Sequence, residues 1–120
     1  MTITAKRDLS ERLFRFSVDV IRFLRGVGSS KENDVLKNQL AKSSTSIGAN
    51  YEEAQAAFSK SDFRHKISIC LKEARESHYW LKIFEELPLC KGPELRKLIE
   101  ECSEIKKIFG SILKKANFKD

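Results

Sequence analysis

What most constrains this chain is a three- and four-residue alternation of apolar side chains, sustained through four separate segments. Such spacing keeps one stripe of a helix facing a partner, and no strand-like alternation competes with it. The first segment runs through Leu9, Leu13, Phe16, Val20, Phe23 and Val27 and stops at "GVGSS". The second runs Leu36, Leu40, Ser43, Ile47, Asn50, Ala54 and Ala57. The third is Phe63, Ile67, Cys70, Ala74, Ser77, Leu81 and Phe84, and the fourth is Leu95, Leu98, Cys102, Ile105, Phe109, Ile112 and Ala116. Helices over about 9–27, 33–58, 60–87 and 93–116 follow. With connections this short, antiparallel neighbours are the default. The expected fold is therefore all-α, an antiparallel up-down-up-down four-helix bundle in a single domain over 1–120.

Capping residues set the expected boundaries. Asp8, with Glu11 three residues on, reads as the start of the first helix, and the stretch from Ser30 to Asn33 as the start of the second. Ser59 is an N-cap with Asp62 at the third helical position. Pro88 closes the third helix, and Pro93 suits the first turn of the fourth. The stretch "SSTSIGANYEEAQAA" at 43–57 has the composition of a loop, yet Ser43, Ile47, Asn50, Ala54 and Ala57 hold helical phase through it. Small residues there thin the helix rather than break it, with Asn50 expected on the core seam.

A chain of 120 residues buries roughly two-thirds of its unfolded surface and needs no disulfide or metal to hold it. Cys70, Cys90 and Cys102 form no C-x-x-C pair. They read as reduced thiols in a cytoplasmic protein, Cys70 and Cys102 on core seams. "MTITAKRDLSER" has no apolar signal region, and no run approaches a membrane span, so no membrane partner is expected. The formal charge of +6 and a pI near 9.3 favour polyanionic partners weakly.

Apolar residues beyond one seam per helix are the informative ones. The third segment has a second seam, Ile69, Glu73, Glu76, Trp80, Ile83 and Leu87, about 120° around from the first. The second segment has a face of small and polar residues, Ala41, Thr45, Gly48, Glu52 and Gln55. Phe14, Val18 and Ile21 lie off the first core seam. Such faces fit either two neighbours within one bundle or another subunit. Arg12, Arg15, Arg22 and Arg25 share about 140° of arc away from the core of the first helix. Lys106, Lys107, Lys114 and Lys115 form a second cluster. These cations suit either phosphate contacts or a solvated face.

Catalytic patterns do not assemble. A di-iron bundle needs inward Glu-x-x-His pairs. Only Asp62-x-x-His65 approaches that spacing, and its phase turns away from the seam. Neither His65 nor His78 is placed to activate Cys70, and "RGVGSSKEND" follows a helix, not the strand that a phosphate loop requires. No enzyme activity, cofactor or bound metal is expected.

Residues 39–81, "QLAKSSTSIGANYEEAQAAFSKSDFRHKISICLKEARESHYWL", resemble the bacterial four-helix-bundle family of 23S rRNA intervening-sequence (S23-type) proteins. Three blocks carry the resemblance: Ser46 to Asn50 with Glu53-Ala54; Asp62-Phe63 with Lys66; and Lys72-Glu73-Ala74 with Glu76 and Tyr79-Trp80-Leu81. Asp8-Leu9, Arg12 and Phe16 extend it toward the N-terminus. The resemblance implies a homopentamer built like the accessory protein of diversity-generating retroelements, which engages nucleic acid and a reverse transcriptase through a basic barrel. It also makes Asn50, Glu53, Glu73 and Glu76 motif positions that orient helices or subunits.

The expected function is a non-enzymatic homo-oligomer, pentameric by resemblance, whose basic surface binds RNA or DNA without strong sequence preference. Arg12, Arg15, Arg22, Arg25, Lys106 and Lys107 are the candidate nucleic-acid contacts. Thr45, Gly48, Asn50, Glu53, Glu73, Glu76, Trp80 and Ile83 are the candidate interface and motif positions. The alternative is a scaffold module with an unidentified protein partner and no nucleic-acid role.

Overall fold

The computed structural model describes residues 3–87 and 92–118. Its regular elements are α1 (Ile3–Arg25), α2 (Lys31–Gln55), α3 (Lys60–Glu86) and α4 (Glu94–Phe118). Each helix packs on the next in sequence and α4 closes back on α1. This is the expected up-down-up-down bundle, a rod of 47 × 25 × 20 Å. The α2–α3 contact is the most extensive and α1–α4 the least.

The seams meet as their spacing predicts. Leu13, Phe16 and Val20 of α1, Leu40 and Ile47 of α2, Ile67, Leu81 and Phe84 of α3, and Ile105 and Phe109 of α4 are all buried. Each such side chain contributes about 1.5–3 kcal/mol by leaving water. Phe23 is only half-buried because Leu24 takes the inward position beside it. The Phe23 ring instead meets Phe84 edge-on at 5.8 Å.

Two caps are formed as the sequence indicates. Ser30 Oγ accepts the Asn33 amide at 3.0 Å, and Ser59 Oγ accepts the Asp62 amide at 3.0 Å. Asp62 Oδ2 in turn accepts the Phe58 amide at 3.2 Å. That bond first, and Lys66 second, hold the Asp62 carboxyl below its usual range. The same cap explains why α2 stops at Gln55 and not at 58. Ser59 is extended, with φ −153° and ψ 166°, so the chain must leave the helix before it, and the Phe58 side chain is fully exposed.

The first boundary differs more. α1 begins at Ile3, so Asp8 is an interior residue and its spacing to Glu11 caps nothing. Five residues of uninterrupted helix before Asp8 leave it no free first-turn amides to satisfy. At α4, Pro93 stands one position earlier than expected. Its carbonyl accepts the Lys97 amide at 3.2 Å just before the helix proper. Pro88 and Cys90 lie outside the described residues.

The hydroxyl-rich stretch of α2 is helical throughout. Thr45 and Ser46 donate to the carbonyls of Ala41 and Lys42 at 2.7 Å, and Ser44 to Ala41 at 3.4 Å. These back-bonds satisfy the hydroxyls without a ligand. Buried Ser43 donates to the Leu40 carbonyl at 3.4 Å and accepts Ser77 Oγ of α3 at 2.8 Å.

Asn50 is not a core residue. It is half-buried, and its Nδ2 donates to the Ser46 carbonyl at 2.8 Å. The inward place belongs to Tyr51, with no exposed surface, its ring edge-on to Phe109 at 6.0 Å. Two adjacent residues straddle the seam here, and the ring gains more from burial than an amide.

Gly48 faces α1 within the same subunit. A Cβ built there would stand 3.5 Å from Leu13 Cβ, an ordinary contact. Nearby, Ser17 Oγ of α1 donates toward the Ser44 carbonyl at 3.1 Å. Of the two alternatives the sequence leaves, thin residues here bring α2 close to its own α1. Because a methyl fits, Gly48→Ala should raise stability by up to about 1 kcal/mol through helix propensity. Thermal melts of the two proteins check this.

Candidate functional site

The candidate surfaces lie on the outside of the bundle. On α1 the four arginines do not act as one stripe. Arg12 turns to α4, where Nε and Nη2 donate to the two Glu101 carboxylate oxygens at 2.7 Å each. This planar, two-bonded pair raises the Arg12 pKa, the bond to Glu101 being the chief cause. Arg12 is therefore a clamp across the least extensive helix contact. It is withdrawn from the set of free phosphate contacts. One sequence shows nothing of a partner 89 positions away.

Arg15, Arg22 and Arg25 are exposed, and none has an ion pair among the described residues. Arg22 and Arg25 border an open groove floored by Val18 and Ile21, with Phe14 at one end and Thr45 of α2 on its far wall. Phe14 is 65% exposed. An apolar floor with two free guanidinium groups at its edge suits a partner that is apolar and anionic together.

The α4 cations divide similarly. Lys106 is half-buried, with Nζ 3.3 Å from His78 Nδ1 of α3. Burial first, then Lys106 and Lys82, lower the His78 pKa. This lysine reaches across the α3–α4 contact and is less exposed than Lys107. Lys107 is exposed and 3.5 Å from Glu104 Oε1, an ion pair of little energetic weight at such exposure. Lys114 and Lys115 are exposed.

The second seam of α3 lies on its α2 side. Glu73 and Glu76 are half-buried neighbours, and the Glu73 pKa is raised by burial first and then by the Glu76 charge, with Lys72 and Lys42 of α2 opposing. One turn on, Trp80 is half-buried against the core edge, its ring edge-on to Tyr79 at 5.2 Å. Its Nε1 is shielded from solvent and has no acceptor among the described residues. Ile69 and Ile83 are half-buried, while Tyr79 is 61% exposed. Glu53 is exposed on α2.

The two described thiols, Cys70 and Cys102, are buried in the core. Cys70 Sγ donates to the Ile47 carbonyl at 3.6 Å and Cys102 Sγ to the Ala74 carbonyl at 3.3 Å. Burial pushes both up to about 12, so neither forms a nucleophilic thiolate near neutral pH. His65 is exposed, and Asp62 is committed to its cap and Lys66. Among the described residues no three metal-ligating side chains gather, and no helix is long and apolar enough to cross a membrane.

The model of the 23S rRNA-intervening sequence protein family matches residues 6–111. The chain belongs to this family. The match spans all four helices, including α4, which the motif blocks leave uncovered. A crystal structure of an S23 ribosomal protein family member from Bacteroides thetaiotaomicron, a protein of unknown function, is similar with a TM-score of 0.80 and 31% identity. The similarity covers 88% of this chain and 97% of that one. Among curated proteins nothing matches significantly. Membership of the intervening-sequence family agrees with the four-helix bundle.

Proposed function

We propose that this family member is a non-enzymatic, cytoplasmic bundle that self-associates, as a ring of five by family resemblance, and binds RNA or DNA without strong sequence preference. The observation that carries the nucleic-acid reading is the set of exposed arginines on α1 free of ion pairs, in a chain of net charge +6. Self-association repeats the cations left exposed, Arg15 among them, around the assembly, turning a weak single contact into many. No base-reading geometry is needed, since phosphate contacts alone give salt-sensitive binding.

Fluorescence anisotropy with a labelled single-stranded RNA tests this. Binding is expected at low salt and should weaken steeply as salt rises. Arg15→Ala should weaken binding and flatten the salt dependence while leaving the molar mass of the protein unchanged. No binding at low salt removes the nucleic-acid role. The exposed Phe14 and Tyr79 side chains favour a second reading, a scaffold for a different protein, which requires the purified chain to remain a monomer in light scattering.

A further inference from the structure

We infer that two different faces of this chain meet head to tail between copies: the α1 groove edged by Arg22 and Arg25 receives the α3 face that carries Glu73, Glu76 and Trp80. The inference rests on the self-association proposed above and specifies its geometry.

The first argument is charge. Arg22 and Arg25 are exposed without an ion pair among the described residues, and they border an apolar floor. Glu73 and Glu76 are half-buried, mutually repulsive and likewise without an ion pair among the described residues. Placing like charges side by side in partial burial is costly within one subunit. A neighbour's guanidinium groups would relieve that repulsion, and each could take a carboxylate in a two-bonded geometry.

Surface chemistry is the second. Both faces combine their charges with apolar area: Val18, Ile21 and the exposed Phe14 on α1, Ile83 and Trp80 on α3. The indole N–H of Trp80 is shielded within its own subunit and has no acceptor among the described residues.

Placement is the third. The α1 groove is lined by Thr45 of α2, whereas Glu73, Glu76 and Trp80 lie beside Ser77, which donates to Ser43 of α2 from the α3 side. The two faces therefore flank α2 on opposite sides. A contact between unlike faces is heterologous, and only heterologous contacts build a ring with an odd number of subunits. In such an assembly Arg22 and Arg25 are taken up between subunits, which leaves Arg15 and the α4 lysines for phosphate.

Charge reversal and its compensation test the pairing, read by multi-angle light scattering at low salt with circular dichroism as a folding control. Arg22→Glu with Arg25→Glu should bring the mass down toward the 13.8 kDa of one chain. Glu73→Lys with Glu76→Lys should do the same. All four substitutions in one chain should restore the mass of the unaltered protein, because the two faces again carry opposite charge. If the unaltered protein assembles and either double variant assembles as well as it does, self-association stands and this pairing is overturned. Failure of the fourfold variant to recover also overturns it, since each face would then be meeting something else. A monomeric unaltered protein would instead defeat the self-association reading on which the pairing depends.

Discussion

Ile47→Asp leaves no cooperatively folded bundle. Ile47 sits at the middle of α2 with no exposed surface, against a core fed by all four helices. Truncating a buried Ile costs about 2–5 kcal/mol through lost transfer energy and the cavity left behind. The carboxylate adds a further penalty, because no described cation reaches this position and burial of an unpaired charge is strongly opposed. A single domain has only about 5–15 kcal/mol in total. Far-ultraviolet circular dichroism and a thermal scan are the measurements, and a sigmoidal transition near that of the unaltered protein would contradict the burial of Ile47.

Tyr51→Ala is the second large effect, and its neighbour supplies the control. Removing a fully buried ring should cost about 3–5 kcal/mol and lower the melting temperature by more than about 10 °C. Asn50→Ala should cost less than about 1 kcal/mol: among the described residues its side chain bonds to the Ser46 carbonyl of its own helix alone, and alanine is the better helix former. The ordering separates two descriptions of α2. If Asn50→Ala were the more damaging, the amide and not the ring would be holding the core.

That contrast shows what a single sequence discloses. Apolar spacing located all four helices and nearly every inward position of α3 and α4, because those segments have one strongly apolar stripe. On α2 the stripe is interrupted by serines and an amide, so periodicity alone leaves Asn50 and Tyr51 equally placed. The fold decides between them by burying the Tyr51 ring edge-on to Phe109. The same limit applies to the candidate surfaces. Charge and helical phase put Arg12 among the outward cations, but its engagement with Glu101 depends on how α4 lies against α1. Gly48 reads as a thin spot from its neighbours, but which helix approaches it is a fact of packing. The family motif residues Glu73, Glu76 and Trp80 were identifiable as a group; their shared partial burial and the unmet indole N–H were not.

The paired hydroxyls of Ser43 and Ser77 have a consequence for alignment. They lie 2.8 Å apart, buried, where α2 and α3 make the most extensive helix contact. Aliphatic side chains would contribute more energy at these two positions, but they would accept several sliding positions almost equally. If α3 shifted by one turn along α2, Ser77 would lose its acceptor, at a cost similar to that of a buried unmade hydrogen bond, about 1–3 kcal/mol, while Ser43 would keep only its bond to the Leu40 carbonyl of its own helix. The pair therefore acts as an index pin. It contributes little to how tightly the helices hold, and much to fixing the one longitudinal setting in which the outer faces line up.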